Sequence, residues 1–298
     1  MTMEIPDWAP LCAAPDPSPR PPRLATPEDA CDCHAHICGP LGVMPYDDAR
    51  IYTPPDALLP TYRAMLDTLG IRRAVLVQPS VYGTDNRVMM QALRDGGPTL
   101  RGVAVVAPDI TDTELRDLHE GGVRGVRFNC VDRREGRNTV PVEEITALAM
   151  RIRPMGWHVE FLLQVDAVPD LEACASLPVD IVFGHLGYAH ATPDGGLPAG
   201  FTALLRLMER GRCWVKLTGP YRISGGDLPY ADIAPMARAL AEAAPDRLVW
   251  GSDWPHVMVR KPMPNDGALL DLLADWVPDA ATRQRILVDN PARLYGFA

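Results

Sequence analysis

The feature that most constrains this chain is a rhythm: short β-branched or apolar runs recur about every thirty residues and alternate with helical patterns, as βα units do. Eight runs stand out: Ala30–His36, Arg73–Gln78, Gly102–Ala107, Gly125–Cys130, His158–Leu163, Asp180–His185, Cys213–Leu217 and Arg247–Ser252. Pro54–Leu69, Asp85–Leu93, Glu143–Arg153, Phe201–Arg210 and Ala231–Ala243 read as helices between them. A last helical pattern, Ala280–Leu287, should be stopped by proline at Asn290-Pro291. Eight parallel strands is the number that closes a barrel, so the expected fold is a (β/α)8 TIM barrel, and 298 residues suit one such unit. Residues 1–27 carry eight prolines and no sustained period, which predicts an extended arm ahead of a barrel domain spanning 28–298.

With 47% hydrophobic and 22% charged residues the chain can bury a sizeable core. A formal charge of −9 argues against nucleic acid as a partner, because binding phosphate backbones needs clustered Lys and Arg. The first residues, MTMEIPDWAP, lack the basic start of a secretory peptide, and no apolar run reaches bilayer length. The expectation is a cytoplasmic enzyme with neither nucleic-acid nor membrane partners. Seven cysteines, an odd count, predict free thiols rather than a disulfide framework. Cys31 and Cys33 alternate with Asp32 and His34, so strict period two would turn the thiols away from the histidines and under the helices.

In a barrel of this type the chemistry follows the strands. The first run ends Asp32-Cys33-His34-Ala35-His36, a His-x-His pair expected to share one face. The sixth ends at His185 and the eighth is followed by Asp253. Three histidines and a carboxylate are thereby aimed at one rim. Arg127 closes the fourth run, Arg133, Arg134 and Arg137 follow it, and Arg222 follows the seventh, so an acidic protein has a basic rim. Guanidinium forks bind carboxylates in bidentate fashion, which suggests an anionic small molecule. Ser80, Tyr52, Asn129 and His256 are further polar groups on these loops. Lys216 sits inside an apolar strand and needs a carboxylate partner, for which Asp32 is the candidate. His158 begins its strand, at the end away from the chemistry.

The segments DCHAHICGP, VQPSVYGTDN, GVRGVRFN, GWHVEF, FGHLG, VKLTGPYR, GSDWPH and NPARLYG together resemble the amidohydrolase superfamily, within it the branch of the 2-pyrone-4,6-dicarboxylate lactonases. The resemblance covers nearly all of residues 28–298. It implies hydrolysis of a carboxylated lactone, with Asp253 activating water, His34, His36 and His185 orienting it and polarising the carbonyl, and Arg127, Arg133 and Arg222 binding substrate carboxylates. It also implies that no metal is required. Zinc, if bound, would use His34, His36, His185 and Asp253. A metal-dependent hydrolase or decarboxylase, and a hydrolase of a muconolactone or sugar lactone, are the alternatives. The chain departs from the lactonase pattern at Leu162, where a tyrosine is usual, and at Gly184 and Tyr188 around the sixth strand.

Overall fold

The structure is a computed structural model that describes residues 5–132, 138, 140–192 and 196–298. Eight parallel strands follow one another around a single sheet: β1 (Cys31–Ala35), β2 (Arg73–Val77), β3 (Leu100–Ala104), β4 (Val123–Asn129), β5 (His158–Leu162), β6 (Ile181–Phe183), β7 (Cys213–Leu217) and β8 (Leu248–Trp250). Backbone bonds from Asp253 N to His34 O and from His36 N to Trp254 O, both 2.8 Å, join the last strand to the first. The fold is the expected (β/α)8 barrel. Its helices are α1 (Leu59–Leu69), α2 (Arg87–Gly96), α3 (Asp112–Glu120), α4 (Val142–Ile152), α5 (Ala199–Glu209), α6 (Ala234–Ala243), α7 (Asp266–Trp276), α8 (Ala280–Gln284) and α9 (Asn290–Tyr295).

The strands form where β-branched residues can face helices on one side and the barrel interior on the other. Three helices, α3, α7 and α9, escaped the sequence reading. α3 buries Leu115 alone, so its apolar stripe is too thin to read, although a Thr111/Glu114 capping box marks its start. α7 is buried along nearly its whole length, so it shows no polar face. Pro291 also acts differently from expectation. A π turn, Arg285–Asp289, links α8 to α9 with helical backbone on both sides, so the chain stays helical through Pro291 instead of stopping there.

One irregularity reorders the first strand. Its pairing with β2 passes from Asp32↔Ala74 to Ala35↔Leu76, so Cys33 and His34 together oppose Val75. Period two is broken there. Asp32 turns toward α1, accepting from Tyr62 Oη at 2.8 Å and from Ser252 N at 2.9 Å, whereas His34 points inward. Cys31 and Cys33 are likewise not beneath helices: they pack inside the barrel with Val75, Val103, Val249 and Tyr295. All seven cysteines are free thiols.

Residues 5–27 contain no helix and lie along the barrel's own loops. Cys12 N donates to Thr53 O, Thr53 Oγ1 donates to Ala9 O, and Met258 N donates to Cys12 Sγ. Farther along, Arg20 and Arg23 both engage Asp271 of α7. Among the described residues no helix is long and apolar enough to cross a membrane.

Candidate active site

The ends of β1, β6 and β8 bring His34, His36, His185 and Asp253 into one fully buried cluster. The His34 ring lies 5.0 Å, centroid to centroid, from both His36 and His185. Asp253 Oδ1 is 3.7 Å from His34 Nε2 and 3.9 Å from His36 Nε2, while Oδ2 is 4.0 Å from His185 Nδ1. Two glycines permit this crowding. A Cβ at Gly251 would stand 2.7 Å from His34 Cβ, and one at Gly219, whose φ is +56°, would stand 2.8 Å from His185 Nδ1. The loops themselves are strained: Asp253 and His185 are non-glycine residues at φ +66° and +50°.

Asp253 Oδ2 accepts two short hydrogen bonds, from Arg222 Nε and from Tyr221 Oη, each 2.6 Å. Oδ1 has no hydrogen-bond partner. Burial alone would raise its pKa, but the Arg222 charge and hydrogen bond, with His185 and His36, hold the carboxyl well below the usual carboxylate range. Asp253 is therefore ionised at neutral pH, with one oxygen restrained and the other buried without a hydrogen-bond partner. Burial pushes the histidines the other way, reinforced by nearby cations: His36 falls to about 4, His185 to about 3, and His34 well below its ordinary value. All three rings are neutral at pH 7.

Beneath His34, inside the barrel, Lys216 of β7 pairs with Glu160 of β5 at 2.6 Å. The sequence reading gave Lys216 the wrong partner. Asp32 is turned outward by the irregularity in β1, and the acid that shares the interior with Lys216 lies on the fifth strand. Glu160 was visible as a second charge within an apolar run, in the segment GWHVEF. His158, at the start of the same strand, lies edge-on to Tyr295 with burial pulling it down to about 3, far from Asp253 in strand position.

The arginines differ from one another. Arg127 is buried, its Nε unpartnered and 3.8 Å from Glu160 Oε1, and it borders a cavity of about 650 Å³ together with Ser80, Gly83 and Asn129. Arg222 spends its Nε on Asp253. Arg133, with Arg134 and Arg137, lies outside the described residues. Ser80 Oγ is 3.4 Å from Tyr52 Oη at this cavity. Asn129 Oδ1 accepts from Val131 N and Asp132 N, so it shapes its loop. His256 is fully buried, with Nδ1 2.9 Å from Tyr221 Oη and Nε2 3.0 Å from Asp266 Oδ1. It braces Tyr221. Sequence reasoning missed Tyr221 and Thr218, whose Oγ1 is 2.6 Å from His185 Nδ1, although both lie in the segment VKLTGPYR.

His34, His185 and Asp253 each offer a ligand atom within 4.8 Å of the others, so the donor types suit a divalent ion such as zinc. Arg222 and Tyr221 already occupy Asp253 Oδ2, so Oδ1 is the carboxylate atom left for an ion, and the Arg222 and Lys216 cations flank the cluster.

Residues 31–297 match the Amidohydrolase family. The chain is 41% identical to a 4-sulfomuconolactone hydrolase from Rhizobium radiobacter, covering 96% of each chain. It is 39% identical to a 2-pyrone-4,6-dicarboxylate hydrolase from Comamonas testosteroni, covering 93% of each. A solved structure from Pseudomonas putida, provisionally described as a 2-pyrone-4,6-dicarboxylic acid hydrolase, is 35% identical and superposes with a TM-score of 0.79 over 90% of this chain and 98% of that one. A barrel of this topology, a buried His-x-His pair, a third histidine and an aspartate at the strand ends, and these matches along the chain's length agree: the protein belongs to the amidohydrolase family.

Proposed function

We propose that this protein hydrolyses a small anionic lactone, with Asp253 as general base and no required metal. The observation that carries the reading is the unpartnered Oδ1 of Asp253, set 3.7 and 3.9 Å from His34 Nε2 and His36 Nε2. One water placed among these three atoms would reach all of them at hydrogen-bonding distance. Asp253 takes a proton from that water as its oxygen adds to the lactone carbonyl. The ring C–O bond then breaks and the leaving oxygen receives the proton back, giving an open-chain acid. Where that oxygen leaves as an enolate, a base contribution of roughly 10²–10⁴-fold with polarisation of the carbonyl suffices.

The names of the relatives support an anionic lactone, a pyrone dicarboxylate or a sulfomuconolactone. Arg127, a buried guanidinium with an unpartnered Nε beside a cavity, suits a carboxylate or sulfonate. Arg222, and Arg133 outside the described residues, are proposed as further anion contacts, with Ser80 and Tyr52 as neutral ones. The occupied Asp253 Oδ2 and the neighbouring cations favour catalysis without a metal. The acidic charge and free thiols fit action in the cytoplasm. Residues 1–27 are proposed as an arm to a barrel domain of 28–298.

The test is ultraviolet loss of 2-pyrone-4,6-dicarboxylate, and separately of 4-sulfomuconolactone, with metal-stripped protein. Loss of either supports the reading. Loss only after zinc is restored makes the protein a metallohydrolase, and no loss of either with or without zinc overturns the lactone assignment.

A further inference from the structure

His34 and His36 are separated by a single residue, yet their inner ring nitrogens meet opposite chemistry. His36 Nδ1 lies 2.8 Å from the Val77 carbonyl, which can only accept. That nitrogen carries the proton and Nε2 keeps its lone pair. His34 Nδ1 lies 3.2 Å from the Lys216 ammonium, which can only donate. Here Nδ1 keeps the lone pair, and the proton of the neutral ring sits on Nε2.

The ammonium donates to Cys33 O at 2.7 Å and faces His34 Nδ1 at 3.2 Å, while Glu160 Oε2, 2.6 Å away, holds it as an ion-pair partner without hydrogen-bond geometry. Glu160 Oε1, the other acceptor near His34 Nδ1, is 3.6 Å away, beyond hydrogen-bond reach. Lys216 is 0% and Glu160 1% exposed, so the pair is shielded from bulk solvent.

We propose that Lys216, anchored by Glu160, is a positioning residue that fixes His34 as an Nε2–H donor, splitting the His-x-His pair into one donor and one acceptor. A divalent ion needs a lone pair on each ligating nitrogen and cannot take His34 in this state. A water can use both: it accepts from His34 Nε2–H and donates to His36 Nε2 and Asp253 Oδ1, with one lone pair left to attack. The tautomer assignment stands on the geometry alone. Only its effect on rate rests on the lactone reading above.

The experiment is ¹⁵N NMR of the full chain labelled at histidine, with the His34 signals assigned by their loss in His34→Gln. In the unmodified protein at neutral pH, His34 is expected to be protonated at Nε2 and His36 at Nδ1. The double variant Lys216→Met/Glu160→Gln removes the charge pair together and avoids an unpaired buried ion. Its His34 should lose the Nε2–H preference, its zinc affinity should rise and its turnover fall, each by roughly 10–100-fold, at little-changed KM. Nδ1–H at His34 in the unmodified protein overturns the proposal whether or not the variant folds. So does a folded double variant that retains both the Nε2–H tautomer and the original zinc affinity. A protein with the stated tautomers but no lactonase activity would leave this inference standing and remove the function above.

Discussion

The two ends of the barrel are built on different principles. At the mouth, six of the nine non-glycine residues at positive φ among the described residues lie in the turns after β6 and β8: His185, Leu186, Tyr188, Asp253, His256 and Met258. Each costs on the order of 1–3 kcal/mol. Around them buried polar atoms are left open, Asp253 Oδ1 and His34 Nε2 among them. At the floor the backbone is closed by its own groups. Arg73 and Arg101 lie over the Phe297 ring and donate to the carbonyls of Ala298 and Gly296, and Arg247 and Arg293 flank Trp214. Backbone strain is concentrated where a ligand can use it, and packing holds the other end, although polar atoms without hydrogen-bond partners occur at both, His158 Nδ1 and Nε2 and Tyr295 Oη at the floor.

That contrast breaks most sharply at Asp253. Asp253→Asn should lower turnover by about 10²–10⁴-fold while the circular dichroism spectrum stays native; near-normal turnover would remove Asp253 as the base. At the floor, Phe297→Ala should cost about 3 kcal/mol and lower the melting temperature by several degrees, with KM unchanged. A large KM change would show that the two ends are coupled. Gly219→Ala places a methyl at positive φ against His185 and Asp253. It should cost about 1–2 kcal/mol of stability and slow turnover more than it weakens binding, as steady-state kinetics would show.

The smallest effect concerns the arm. Burial opposes ionisation of Asp271, but hydrogen bonds from Arg20, Arg23 and two backbone N–H groups hold its pKa below the ordinary value. Its contribution is present above the unfolded pKa, about 3.9, and is lost as pH falls through the depressed folded value. Limited proteolysis of residues 5–27 should therefore accelerate below about pH 4. In Asp271→Asn the arm should already be cut faster at pH 7.

The strands were legible because each is a short apolar run bounded by polar turns, and the rim residues were legible because they follow those runs directly. What stayed hidden was three-dimensional. α7 offers no polar face, and α3 almost no apolar one. Lys216 found Glu160 rather than Asp32 because one extra residue in β1 reverses the facing of everything after it, which no period-two reading can register. The supporting roles of Tyr221, Thr218 and His256 depend on hydrogen bonds between loops distant in sequence.

The route of residues 5–12 has a practical consequence for anyone handling the molecule. They hold Thr53, next to Tyr52, and the backbone of Met258, two positions past His256, while Phe297 and Ala298 stopper the opposite end. An affinity tag or a trimmed version is thus not neutral at either place. Shortening the first segment would be read out as slower turnover, and disturbing the last as earlier melting.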